Sequence, residues 1–147
     1  MSAAEKEVFE DLKTPIGGVP AEMVVQVWDK VAPILARVVK PETGYAVDDV
    51  LTELQFARMQ LWVIDDFKAV IVTTILQLPL RKTLWIQFVA GDDLDDWMDD
   101  WIVVQEGFAR HNGCSVIECS GRSGWTKKLC NRYPGYKAVT TNYYKEL

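Results

Sequence analysis

Histidine is nearly missing from this sequence: there is one, His111, and no Cys/His cluster near it. A structural zinc site needs four such ligands, so a zinc-built domain is not expected and no metal is assigned. The three cysteines, Cys114, Cys119 and Cys130, contain no C-x-x-C pair. An odd, unpatterned set of thiols argues against a disulfide framework and suits a reducing compartment. No run approaches the ~20 apolar residues that a membrane-spanning helix requires. The opening stretch MSAAEKEVFEDLK has neither the basic start nor the apolar core of a secretory signal. A cytoplasmic protein without a membrane partner is therefore expected. Positive charge is also in deficit. With 16 Lys and Arg against 21 Asp and Glu, the net charge is -5, which removes the usual basic footprint of a nucleic-acid binder.

What is present is apolar and rich in rings. The chain has 147 residues, 49% of them hydrophobic and 25% charged, which is the composition of a globular protein and not of a disordered one. That length suits one domain burying roughly 68–70% of its unfolded surface. Six Trp, five Tyr and five Phe supply either a heavy core or an exposed aromatic face. Trp62 and Trp85 fall on predicted strands, where rings on both sides of a sheet leave an apolar patch suited to a partner.

Residues 1–20 read as a separate N-terminal arm, and 21–147 as the domain. A short helix over Glu5–Lys13, with Val8, Phe9 and Leu12 on one side, is broken by the Pro15-to-Pro20 stretch. The arm either packs on its own domain or docks on another subunit. From Ala21 to Lys40, Val24, Val27, Trp28, Val31, Ile34, Leu35 and Val38 recur at helical spacing, with a kink expected at Pro33. A second helix carries Val50, Leu51 and Leu54 on one face and Asp48 and Asp49 at its start. The period then changes to that of strands. Gln60–Ile64, Ala69–Leu78 and Thr83–Ala90 are rich in Val, Ile, Thr and Trp, with a hairpin turn at Asp65–Lys68. After Gly91 a helix places Leu94, Trp97, Met98, Trp101, Val104 and Phe108 on one face, and Asp95, Asp96, Asp99 and Asp100 on the other. It ends near Asn112-Gly113. A strand over Cys114–Cys119, a glycine-rich turn, a helix to about Arg132 and a last strand over Tyr136–Tyr144 complete the order. In that helix Arg122, Lys127, Lys128 and Arg132 form a basic face.

This order, with Ile16–Val19 as a weak first strand, resembles the acyl-CoA N-acyltransferase (GNAT) superfamily over roughly Pro20–Leu147. The run Gly113 to Trp125 (GCSVIECSGRSGW) with Pro134-Gly135-Tyr136 resembles GNAT-like proteins of tailed bacteriophages and prophages, some of them internal virion components. The resemblance implies an α/β (α+β) fold with a mixed, mostly antiparallel sheet flanked by helices. It implies that strands 83–90 and 114–119 splay apart, with the pantetheine arm of acetyl-CoA or another acyl-CoA in the gap. It also implies that Gln87, Phe88, Val89, Ala90 and Gly91 hold the coenzyme. The family's loop usually reads [Q/R]-x-x-G-x-[G/A] and cradles the pyrophosphate on backbone amides at a helix start. Here the second small residue is missing, and Asp92, Asp93, Asp95 and Asp96 fill the region. Each carboxylate there would repel a phosphate by on the order of 1–4 kcal/mol.

Several residues have two readings. The aspartates cap the helix and pair with its dipole, or form a partner-facing acidic patch, or gather a divalent cation without a fixed ligand spacing. The Ser120–Gly124 turn is a tight structural turn, or an anion cradle assisted by Arg122. Glu118 is a salt-bridged strand residue, or the base that takes a proton from an attacking amine. Tyr136, Tyr143 or Tyr144 packs, or reprotonates a departing thiolate. His111 reads as a helix-end residue. Two functions follow. The favoured one is a phage-type, protein-binding component, open to oligomerisation or association with the virion, with a phage or host protein as partner and no cofactor. The alternative is an acyl-CoA-dependent N-acyltransferase.

Overall fold

The computed structural model describes residues 12–121 and 124–147. The helix expected over Glu5–Lys13 lies outside that range except for its last two residues, and Arg122 and Ser123 also lie outside it.

Five strands form one sheet in the order β1 (Ile16–Val19), β2 (Gln60–Ile64), β3 (Ala69–Gln77), β4 (Lys82–Gly91) and β5 (Val116–Cys119). Neighbours are antiparallel except β4 and β5, which run parallel. The α/β class and the mixed, mostly antiparallel sheet are therefore as expected. Three helices cover it: α1 (Val24–Leu35), α2 (Val47–Gln55) and α3 (Leu94–His111). The parallel pair has α3 as its connection, since two parallel strands cannot be joined by a tight turn.

Two cores lie on opposite faces. On one, Val24, Val31 and Leu35 of α1 and Val50 and Leu54 of α2 bury against Leu61, Val70, Val72 and Phe88. On the other, Trp97, Trp101 and Val104 of α3 bury against Trp62, Ile64, Ile71, Leu84 and Ile86. The side chains of β4 change face partway along. Leu84 and Ile86 belong to the α3 core, whereas Phe88 and Ala90 belong to the α1/α2 core. Strict alternation would keep all four on one side. The reason is a bulge: Val72 faces Phe88 and Thr73 faces Ile86, leaving Gln87 as the extra residue. A bulge bends its strand and re-aims side chains, and it often sits beside a functional site.

Trp62 is not part of an exposed patch. It is buried, its Nε1–H donates to Thr73 Oγ1 at 3.0 Å, and its ring meets Trp101 and Phe108 edge-on at 5.6 and 4.9 Å. The indole therefore buries its area while keeping its polar atom satisfied.

Ile16–Val19, expected as a weak first strand, is the sheet's first strand and pairs with Ile64–Leu61. Other expectations need correction. The first helix is shorter than Ala21–Lys40 and keeps Pro33 inside its last turn, ending two residues later. The helix expected to reach Arg132 contains a π-helical turn, Thr126–Cys130. Tyr136–Tyr144 forms no strand. Its alternating Val139 and Tyr143 are 71% and 89% exposed, so the alternation has no apolar face to bury and nothing to hold it extended.

Candidate functional site

The parallel ladder between β4 and β5 runs from Thr83 and Val116 to Ile86 and Cys119, and then stops. β4 continues for five more residues, Gln87 to Gly91, without a partner on that side. Divergence and bulge thus coincide at one point. The gap is a cleft of about 440 Å³, within the ~300–1,000 Å³ range of small-molecule sites. Its β4 wall is Trp85 to Val89, its α3 wall includes Leu94, Trp97, Trp101 and Gln105, and Ile117 and Cys119 lie on the β5 side. Trp125, Leu129, Tyr136 and Asn142 from the C-terminal segment face them. A strand edge bared along one wall offers backbone amides and carbonyls to an extended ligand that carries its own amides.

The expected coenzyme residues divide. Gln87, Phe88 and Val89 line the cleft, but Ala90 and Gly91 do not. Phe88 does not plug it, because its ring packs edge-on against Tyr45 at 5.9 Å. Gly91 has a local reason to be glycine. At φ +141°, an added Cβ would stand 2.4 Å from Ala69 Cα and 2.6 Å from the Lys68 carbonyl oxygen. Close approach of the β3 hairpin, and not of a phosphate, fixes this residue.

The acid–base candidates divide too. Tyr136 lines the cleft and accepts a hydrogen bond from Gln105 Nε2 at 2.9 Å. Burial, with help from Glu106, pushes its hydroxyl up to about 12, so it stays protonated at neutral pH and can donate. Glu118 is absent from the cleft wall formed by its neighbours Ile117 and Cys119; its Oε1 accepts from Arg81 Nη2 at 2.7 Å instead. Tyr143 is exposed in the C-terminal tail. Gln105 carried no signal in the sequence except that it is a polar residue within the helix's apolar stripe.

The aspartates at the start of α3 do not act as an N-cap. Asp93 occupies the cap position in a left-handed conformation, without a side-chain cap bond. Cations of the same chain answer them instead. Arg37 donates to Asp92 at 2.9 Å, Lys68 stands 3.6 and 3.4 Å from Asp93 and Asp96, and Lys128 and Arg132 stand 3.8 and 3.5 Å from Asp95. The Arg37 hydrogen bond and charge lower the Asp92 carboxyl. The Asp92 backbone is tied as well, its N–H donating to Lys68 O and its carbonyl accepting from Trp97 Nε1. The carboxylates are 60–71% exposed, so each pair is weak. Their joint effect is to occupy the loop with the chain's own contacts. Among the described residues there is no cluster of three or more His, Cys, Asp and Glu placed to hold a metal, and no helix is long and apolar enough to cross a membrane.

No protein-family model matches the sequence, and no curated protein is similar to it by sequence. Solved structures do match in fold. An aminoglycoside acetyltransferase from an uncultured soil metagenomic sample, in complex with sisomicin, superposes with a TM-score of 0.65 at 11% identity, covering 91% of this chain and 97% of the other. The ribosomal-protein-alanine N-acetyltransferase of Brucella melitensis biovar Abortus 2308 gives 0.63 at 13% identity, over 91% and 99%. A tetramutant of the BH1408 protein from Bacillus halodurans gives 0.62 at 16% identity, over 90% and 99%. At such low identity the likeness speaks for architecture alone, and that architecture is the GNAT acetyltransferase fold.

Proposed function

We propose that the protein is an acyl-CoA-dependent N-acyltransferase, with the pantetheine arm of the donor lying in the cleft between β4 and β5. The observation that carries this reading is the end of the β4–β5 ladder at Ile86 and Cys119, at the bulge on Gln87. There the strand edge needed to pair with the arm's amides is bare and walled by apolar side chains.

In this reading the amine nitrogen attacks the thioester carbonyl, a C–N bond forms and the C–S bond breaks. The departing thiolate takes its proton from the Tyr136 hydroxyl, which Gln105 orients. The amine's proton passes to water, since no carboxylate lines the cleft among the described residues, and water returns a proton to the Tyr136 phenolate. In this reading backbone amides within Gln87 to Val89, which line the cleft, polarise the thioester carbonyl. At the phosphate end Arg37 and Lys68 flank the start of α3, but Asp92, Asp93 and Asp96 already engage them. The donor's phosphates therefore gain less there than a helix start without carboxylates would give.

The sequence alone favoured a protein-binding, virion-associated component, on the acidic loop of Asp92, Asp93, Asp95 and Asp96, the N-terminal arm and the excess of aromatic residues. With each of these aspartates paired inside the chain, the enzyme reading has the better support. Calorimetry with acetyl-CoA and with free CoA tests it. Saturable binding at micromolar concentration is expected, and silence at millimolar concentration overturns the proposal.

A further inference from the structure

The segment 124–136 is attached to the domain in an unusual way. Among the described residues its backbone hydrogen bonds run within the segment, from Asn131 to Thr126, Tyr133 to Leu129 and Tyr136 to Tyr133. It adds no strand to the sheet. Among the described residues, its contacts with the rest of the domain are made by side chains. Trp125, Leu129, Tyr133 and Tyr136 are half-buried at helical spacing, while the residues between them are mostly exposed. Three of those four line the cleft opposite β4. Gly121 makes room for this, since a Cβ there would stand 2.5 Å from Trp125 Cδ1.

The basic side of the same segment meets the acidic face of α3. Arg132 Nη1 and Nη2 stand 3.5 and 3.2 Å from Asp95 and Asp99, and Lys128 Nζ stands 3.8 Å from Asp95. The Tyr133 hydroxyl donates to Asp99, and Gln105 donates to Tyr136. Asp95 and Asp99, unexplained by capping, are thus the part of the aspartate row on which this segment rests. Exposed ion pairs of this kind are singly weak and are screened by salt, and a segment without backbone ties opens independently of the core it covers.

We propose that residues 124–136 form a lid over the cleft, latched by Lys128, Arg132 and Tyr133 to Asp95 and Asp99 of α3, and that ligand enters when the latch releases. This goes beyond the acyltransferase reading and does not depend on it, because the lid covers the cleft whatever the cleft binds.

Hydrogen exchange read by mass spectrometry, with 8-anilinonaphthalene-1-sulfonate as a probe of the uncovered apolar wall, tests the lid. Three proteins are compared with the unmodified chain: Arg132→Gln, the pair Asp95→Lys with Asp99→Lys, and that pair combined with Lys128→Asp and Arg132→Asp. In the first two, exchange in 124–136 is expected to rise about tenfold and probe fluorescence several-fold, with β2 to β4 still protected. The charge-swapped protein is expected to regain slow exchange. Unchanged exchange of 124–136 in Arg132→Gln, or no recovery in a folded charge-swapped protein, overturns the latch. If the multiple variants lose protection throughout, the unmodified chain decides. Raising NaCl from about 0.01 M to about 1 M shortens the screening length from about 30 to about 3 Å. Exchange in 124–136 must then rise on its own, and a segment indifferent to salt overturns the proposal.

Discussion

Ile86 of β4 and Cys119 of β5 are the last residues that face each other across the parallel ladder. The bare edge of β4 that the cleft offers, Gln87 to Gly91, lies beyond this pair. Cys119 also lines the cleft, and although the residue as a whole is exposed, its surroundings desolvate the thiolate and Cys130 adds repulsion, pushing the thiol up. A large side chain at 119 should therefore fill the gap without disturbing either core. Cys119→Trp is expected to weaken acetyl-CoA binding at least tenfold, measured by calorimetry, with a melting temperature near that of the unmodified protein. Undiminished affinity would place the donor elsewhere.

Gly91 and Gly44 both have positive φ, but they differ in their neighbours. Nothing lies within 4 Å of a Cβ at Gly44, whereas one at Gly91 would meet Ala69 and Lys68 backbone at 2.4 to 2.6 Å. Gly44→Ala is expected to cost about 1 kcal/mol, the left-handed penalty alone. Gly91→Ala adds a backbone clash and should cost roughly 3 kcal/mol or more. Urea unfolding of the two variants gives the comparison, and equal losses would mean that the hairpin does not press on Gly91.

The order of helices and strands was legible because the period of apolar residues changes from 3.6 to 2 and back at Gln60 and Leu94. The hairpin at Asp65–Lys68 and the core stripe of Trp97 and Trp101 followed from the same signal. The face switch in β4 did not, because one inserted residue leaves Trp85 to Ala90 reading as an ordinary alternating strand. The tail misled for the converse reason: Val139 and Tyr143 alternate like a strand but no sheet edge takes them. The aspartates could be placed on the solvent side of α3 from spacing alone. Their partners are Arg37, Lys68, Lys128 and Arg132, distant in the chain, and only the fold brings them together.

Tyr136 should matter for rate more than for binding. Its hydroxyl accepts from Gln105 at 2.9 Å, and burial pushes it up to about 12, so it is protonated at neutral pH. Tyr136→Phe keeps the ring in the cleft wall and removes the proton donor. An acetyl-transfer assay with an amine acceptor is expected to show kcat reduced by about 10²-fold, in line with general acid catalysis, with KM for acetyl-CoA changed little. A rise in KM at constant kcat would reduce Tyr136 to a wall residue.

Acid should loosen the molecule at its surface pairs before it reaches the core. Asp99 is lowered by the Tyr133 hydrogen bond first and by Arg132 after it, Asp92 by Arg37, and Glu53 by its hydrogen bond from Arg58. A carboxyl whose folded value is depressed binds protons less readily folded than unfolded. Its stabilisation is fully present above the ordinary values of 3.8 for Asp and 4.5 for Glu, and is lost as pH falls through the depressed folded value. The melting temperature is therefore expected to be flat from neutrality to about pH 5 and to fall below it. Asp99→Asn keeps an acceptor for Tyr133 but no longer titrates, so its melting temperature should start lower at neutrality and fall less steeply in acid. Parallel pH profiles for the two proteins would show that the Asp99 carboxylate does not help to hold the C-terminal segment on α3.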